Sequence, residues 1–135
     1  AEATAGDLAA AARRDLSDPT LYSFSANNLL KRGLWHPQRD INLLRTQVWP
    51  ALYAMLALQE GDPIRIWGLR KEEAIALLPE DTTMGRSYRR FHEALLDYYP
   101  AETSVEAALR IIQRGVLALR HVKEWWEGFS GQERL

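Results

Sequence analysis

Apolar residues recur at helical spacing in the second half of the chain. Between positions 84 and 98 they follow one another at intervals of four, three, four and three residues, a spacing that places them along one side of an α-helix. The set consists of Met84, Tyr88, Phe91, Leu95 and Tyr98. The pattern predicts a helix that begins at Asp81, Thr82 or Thr83 and ends before Pro100, because each of these three side chains can cap free amides.

The longest helical pattern begins at a capping-box pair, Thr103 and Glu106, and we expect it to continue to Gly128. Projection at 100° per residue places the cations Arg110 and Arg114, together with His121, on the opposite side from the apolar residues. The predicted apolar face consists of Val105, Ala108, Leu109, Ile112, Val116, Leu119 and Trp126.

The first half of the chain divides at its Gly and Pro residues. We predict a short helix from Asp7, as its N-cap, to about Leu16, and a second from Asp18 and Pro19 to Arg32, with Gly33 as its stop. A third helix is expected from Asp40 through Leu56. Pro50 lies within it and lacks the amide that would bond the Thr46 carbonyl, so we expect a kink or a break near Trp49.

The segment between these regions has two patterns. Residues 64–69 alternate apolar and polar side chains, which predicts a short extended segment. Residues 71–78 predict a brief helix that ends at Pro79. Taken together, the patterns predict an all-α fold, an irregular orthogonal bundle of five to six helices with a long C-terminal helix.

Length and composition fit one ordinary domain. The chain has 135 residues and a formal charge of −1 from 17 basic and 18 acidic side chains, so no global basic field favours nucleic acid or an anionic membrane. We expect residues 7–129 to form a single helical domain, with 1–6 as a linker or disordered start and 130–135 as a tail. The linker-like start, without Met, favours a domain excised from a larger protein, and a processed mature terminus is the alternative.

Cysteine is absent, which excludes a disulfide framework, a thiolate zinc site and a cysteine nucleophile. The same absence fits a reducing compartment, and we expect a cytoplasmic location. No apolar run approaches the roughly 20 residues that span a bilayer, so no membrane partner is predicted.

Motifs for common catalytic and metal sites are also missing. The three histidines, His36, His92 and His121, have no two-ligand spacing, and no H-E-x-x-H, G-x-S-x-G or phosphate-binding glycine loop occurs. The sequence therefore predicts no metal, no cofactor and a function that is not catalytic.

Two pairs of arginine and histidine have a spacing that suggests one enzymatic alternative. Arg114 and His121 are separated by six residues, and Arg86 and His92 by five. This resembles the R-x(4–6)-H motif of HEPN-type helical ribonucleases, a resemblance that implies metal-independent RNA cleavage across a dimer interface. The histidine would move a proton while the arginine holds a phosphate. The polar residue that usually follows the arginine is missing after Arg114, where Gly115 stands.

RNA binding without cleavage is a further alternative. Basic side chains at Arg86, Arg89 and Arg90 flank the aromatic rings of Tyr88 and Phe91, and such an arrangement can hold phosphates and stack bases. The competing interpretation is a helix face that neutralises itself through nearby carboxylates such as Glu93.

Tryptophan is the least ordinary component, with five in the chain. Trp35, Trp49 and Trp67 lie within two residues of Gly or Pro, where an indole can cover the core or bind a partner. Trp125 projects toward the polar side of the last helix, whereas Trp126 faces inward. We therefore expect a protein–protein interaction or assembly module that uses Trp35, Trp49, Trp67 and Trp125 as anchors and Arg86, Arg89 and Arg90 at the rim. Self-association as a homodimer is its simplest form.

Overall fold

A computed structural model describes residues 4–23, 37–98 and 104–133 of the chain. These residues form six α-helices and one 3₁₀ helix, Pro19–Tyr22, and contain no strand. The α-helices are α1 (Ala5–Ser17), α2 (Pro37–Glu60), α3 (Pro63–Trp67), α4 (Lys71–Ala76), α5 (Thr83–Leu96) and α6 (Val105–Glu133). The prediction of an all-α bundle with a long C-terminal helix is confirmed.

Helix α1 begins three residues earlier than predicted. Thr4, not Asp7, is its N-cap, and the Thr4 hydroxyl accepts a hydrogen bond from the Asp7 amide at 3.1 Å. The Asp7 carboxylate in turn accepts from the Thr4 amide at 3.1 Å. Asp7 is therefore the third residue of a reciprocal capping box. Aspartate can serve at this position as well as at the N-cap, which is why the sequence suggested the wrong one of the two.

The Asp18–Pro19 start signal is confirmed for the 3₁₀ helix. The Asp18 carboxylate accepts from the Thr20 amide at 3.0 Å, and Pro19 occupies the first helical position. The 3₁₀ helix ends at Tyr22, with Ser23 as its C-cap, so the prediction of a helix that continues through Ser23 is wrong. The remaining residues of the predicted helix, toward Arg32 and Gly33, lie outside the described residues.

Helix α2 continues through Pro50 without interruption, so the predicted break near Trp49 is wrong. The missing amide of Pro50 costs one helical hydrogen bond. Neighbours compensate for it, because α2 is packed against α1, α3, α4 and α6. Asp40, the predicted N-cap, lies within the first turn of the helix, where a carboxylate also stabilises the N-terminal dipole.

Residues 64–69 are not extended, because Pro63–Trp67 form one helical turn. The Asp62 side chain accepts from the Arg65 amide as the N-cap, and Pro63 begins the turn. Ile66 is fully buried while Ile64 is exposed. These two apolar residues of the alternation therefore lie on opposite sides of the turn, so the alternation of apolar and polar residues does not follow burial in this segment.

The two predicted helices that follow are confirmed. Helix α4 ends at Ala76, before Pro79, and α5 begins after Thr82, whose hydroxyl accepts from the Gly85 amide at 3.0 Å. Tyr88 and Phe91 of the predicted apolar stripe are fully buried.

Helix α6 is longer than predicted and is rotated relative to the projected face. It continues past Gly128 to Glu133, where the Glu133 carboxylate pairs with Arg13 of α1 at 2.7 Å. Ser104 caps its start by accepting from the Ala107 amide, while the predicted cap Thr103 lies outside the described residues. The buried stripe consists of Ala108, Ile111, Ile112, Gly115, Ala118, Leu119 and Val122, whereas Val105 is exposed.

The core is centred on α2, where every residue from 51 to 57 is buried. Helix α6 approaches α2 closely at Gly115, opposite Leu44. A Cβ added there would lie 2.5 Å from the Leu44 Cδ2 of α2 and 2.8 Å from the Phe91 Cε1 of α5. The absence of a side chain at Gly115 thus sets the distance at which three helices meet.

Candidate interaction site

Trp49 belongs to the core. Its side chain is 5% exposed and lies 6.0 Å from Tyr88 and 5.6 Å from Phe91 between ring centroids. The His92 ring meets the indole edge-on at 5.7 Å, and the Lys71 ammonium lies 5.4 Å from its centroid. The sequence placed Trp49 among the partner anchors, but the continuous helix turns it inward, so its ring is not presented to a partner.

Trp67 is an accessible indole that is held in place by a neighbouring ring. It is 39% exposed and stacks on Tyr53 with ring centroids 5.2 Å apart and planes inclined by 21°. The Tyr53 hydroxyl donates to the Leu69 carbonyl at 2.8 Å, which fixes the ring beneath. Trp67 therefore offers a pre-ordered aromatic surface, a common property of binding hot spots.

A second apolar side chain continues this surface. Ile64 precedes Trp67 by three residues on α3, a spacing that brings two side chains to the same side of a helix. Ile64 is 58% exposed, the more open of the two. Pro63 and Ile66, which lie on the other side of the turn, are buried. The division of α3 into one buried and one open side directs both apolar side chains outward.

Two ion pairs, each of one arginine and one acidic side chain, lie next to these two residues in the sequence. Arg65 pairs with Asp62 at 3.5 Å, and Arg70 pairs with Glu73 at 3.1 Å. Hydrogen bonds from Arg70 hold the pKa of the Glu73 carboxyl below its usual value. We call the six residues together the α3 surface, which consists of Asp62, Ile64, Arg65, Trp67, Arg70 and Glu73.

The C-terminal end of α6 carries a separate aromatic group. Trp125 stacks on Phe129 at 4.7 Å, and Trp126 lies 6.2 Å from the same ring. Both indoles are half-buried and pack against the core. The predicted contrast between an outward Trp125 and an inward Trp126 is therefore not observed. Both indoles pack against the same ring, Phe129, and both are partly exposed. Trp35 lies outside the described residues.

Arg89 serves the fold itself. Its guanidinium donates to the carbonyls of Ile75 at 3.3 Å, Leu78 at 2.9 Å and Gly85 at 3.2 Å. Pro79 has no amide to offer the Ile75 carbonyl four residues before it. That carbonyl accepts from the Leu78 amide at 2.9 Å, and Arg89 adds a second donor. A side chain that the sequence assigned to a binding rim thus closes the end of α4.

Two further arginines of the predicted site also donate to backbone carbonyls. Arg86 bonds the Asp81 carbonyl at 2.9 Å, and Arg114 bonds the carbonyl of Arg90 at 3.3 Å. The Arg90 side chain itself is exposed. The arginine contacts tie α5 to the preceding turn and to α6.

The histidines of the two R-x(4–6)-H matches have acidic neighbours. His92 Nε2 lies 3.7 Å from a Glu72 carboxylate oxygen, and His121 Nδ1 lies 3.7 Å from one of Glu124. Both imidazoles are largely buried. The third histidine, His36, lies outside the described residues.

Searches for other kinds of site within 4–23, 37–98 and 104–133 are negative. No group of three His, Asp or Glu side chains in these ranges is placed to hold a metal ion. No helix in the described part of the chain combines the length and the apolar character needed to cross a membrane. Comparison with known proteins gives no match, whether to a family model, to a curated protein sequence or to a solved structure.

Proposed function

We propose that the protein is a non-catalytic helical module that assembles by pairing its α3 surface with that of a second copy. The observation that carries the proposal is the exposure of Trp67 on a fixed Tyr53 base, next to the more exposed Ile64. A stacked indole loses little conformational entropy on binding, so most of the free energy of its burial contributes to affinity.

The charges around Trp67 favour a second copy as the occupant. The α3 surface has two cations, Arg65 and Arg70, and two anions, Asp62 and Glu73. In a two-fold interface each residue can meet a different residue of the same patch, so a patch with both signs can complement itself. The formal charge of −1 on the whole chain opposes such pairing only weakly.

Exchange of Ile64 for serine tests the proposal by sedimentation velocity over a range of protein concentrations. We expect a monomer–dimer equilibrium for the unaltered chain and a dimer dissociation constant at least tenfold higher for Ile64→Ser. The tenfold change corresponds to about 1.4 kcal/mol, which is within reach of one well-packed apolar contact. Trp67→Ala is expected to act in the same direction and more strongly.

Leu43→Ser is the matched control. Leu43 is 45% exposed on α2 and precedes Tyr53 by ten residues, about 15 Å along the helix axis. It should leave the dissociation constant unchanged. Since Trp67→Ala also removes the Tyr53 stack, its thermal unfolding is recorded beside that of Ile64→Ser. A chain that stays monomeric, or equal effects of Ile64→Ser and Leu43→Ser, would contradict the proposal.

A further inference from the structure

The last two turns of α6, residues 127–133, are rich in residues that favour a helix weakly. Gly128 and Gly131 lie in these turns, and glycine is the weakest helix former after proline. A Cβ added at either glycine would meet no atom within 4 Å, in contrast to Gly115. Packing therefore does not require a glycine at either position, and the two turns are helical in spite of their composition.

The aromatic group of α6 contributes part of the missing stability. Phe129, in the middle of these turns, stacks on Trp125 at 4.7 Å with ring planes inclined by 17°. Trp125 and Trp126 pack against the core. Both indoles belong to the same helix as Phe129, so the stacking supports the helical turns but does not attach them to another element.

One ion pair attaches these turns to another helix. Arg13 of α1 donates to Glu133 through Nη2 at 2.7 Å and through Nε at 3.5 Å, so the guanidinium meets both carboxylate oxygens. Hydrogen bonding to Arg13 lowers the pKa of the Glu133 carboxyl. Among the hydrogen bonds and ion pairs within the described residues, no other contact joins residues 127–133 to a different helix.

The position of Glu133 makes this ion pair a condition for closing the end of the helix. The helix dipole disfavours a carboxylate at the C-terminus, so Glu133 stabilises these turns only while Arg13 faces it. The two side chains are 46% and 37% exposed, and dissolved salt screens an ion pair of such exposure. The attachment of the helix end is therefore sensitive to ionic strength.

We propose that residues 127–133 form a strap that opens and closes by local unfolding, and that the Arg13–Glu133 pair is its fastening. The closed strap keeps Phe129 against Trp125 and Trp126, whereas the open strap exposes both indoles at the flank of the core. Rising ionic strength shifts the strap toward its open form. The inference does not involve the α3 surface and is independent of self-association.

Hydrogen–deuterium exchange of the full chain, measured by peptide mass spectrometry, tests whether the strap opens locally. In the unaltered chain we expect residues 127–133 to exchange at least tenfold faster than residues 118–122 of the same helix, which include the buried Leu119 and Val122. Local opening releases the strap alone, whereas the buried stretch requires a larger unfolding. Equal rates in the two segments would contradict the proposal.

Variants at the fastening test the role of the ion pair. Arg13→Gln should increase the exchange rate of the strap about two- to fivefold, the range for an exposed ion pair, because it leaves Glu133 unpaired. Arg13→Glu combined with Glu133→Arg should return the rate to that of the unaltered chain or below, since the pair is restored with its cation at the helix C-terminus. Arg14→Gln, at the adjacent exposed arginine, is the control and should leave the rate unchanged.

Salt and a helix-favouring substitution move the strap in opposite directions. A rise in NaCl from about 0.05 to about 0.5 M, which shortens the Debye length severalfold, should speed exchange of the strap in the unaltered chain but not in Arg13→Gln. Gly131→Ala should slow it about threefold through helix propensity.

Hydroxyl-radical labelling of the same variants measures the exposure of the indoles. Trp125 and Trp126 should be labelled faster in Arg13→Gln and more slowly in Gly131→Ala than in the unaltered chain. The proposal is wrong if Arg13→Gln and Arg14→Gln have equal effects, if the double charge reversal does not restore the exchange rate, or if labelling of the two indoles does not follow exchange of the strap.

Discussion

Replacement of Arg89 by leucine is expected to lower the free energy of unfolding by about 3 kcal/mol. A hydrogen bond to a charged group contributes about 1.5–3 kcal/mol, and Arg89 donates to the carbonyls of both Ile75 and Leu78. Leucine keeps the apolar stem but leaves both carbonyls without the guanidinium. Urea unfolding followed by circular dichroism measures the difference.

Arg90→Leu provides the comparison, because Arg90 is adjacent in sequence and its side chain is exposed. Surface changes of this kind are usually within about 0.5 kcal/mol of neutral. Lysine at position 89 is expected to restore only part of the loss, since an ammonium lacks the planar fork that reaches separate carbonyls. Equal unfolding free energies for the position 89 and position 90 leucine variants would show that Arg89 does not hold the end of α4.

Replacement of Gly115 by alanine is expected to destabilise the fold by about 2 kcal/mol, although alanine is the better helix former. The new methyl would meet Leu44 and Phe91 at 2.5 and 2.8 Å, and both side chains are fully buried. Overpacking of this kind costs about 1–3 kcal/mol. Two buried neighbours that must both move place the cost at the upper end, and the gain in helix propensity of about 1 kcal/mol offsets part of it.

The same substitution at Gly128 should have the opposite sign. Gly128 lies in the same helix, and a Cβ added there meets no atom within 4 Å. Alanine is then expected to stabilise by up to about 1 kcal/mol through helix propensity alone. Thermal and urea unfolding of the two variants test the pair together. A stabilising Gly115→Ala would mean that α6 can move away from α2 without loss.

Periodicity predicted the elements whose burial is one-sided over several turns. Helix α5 has such a stripe, and Thr82, one of the three caps that the sequence offered, marks its start. The short element α3 was predicted as extended, because one turn contains too few residues for a period of 3.6 to differ from a period of two. The helical path through Pro50 depends on packing against other elements, which a local pattern does not contain.

The sequence identified some residues of the candidate site but not the contacts that they make in the fold. Trp67 was among the predicted anchors, and the structure adds the Tyr53 stack that orders it, a contact made across 14 residues of sequence. Arg89 was misassigned because its acceptors are backbone carbonyls 11 and 14 residues away. Every residue has such a carbonyl, so no sequence motif identifies the ones that a distant arginine reaches.

The burial of seven consecutive residues, 51–57, has a consequence for how the molecule opens. A helix segment enclosed on all sides is released only when its neighbours separate, so its amide protons should exchange with deuterium by global unfolding. The short helices α3 and α4, at the periphery, should exchange earlier through local opening. Mass spectrometry of labelled peptides should therefore find the slowest exchange just after Pro50, in the stretch that begins where the helix lacks an amide.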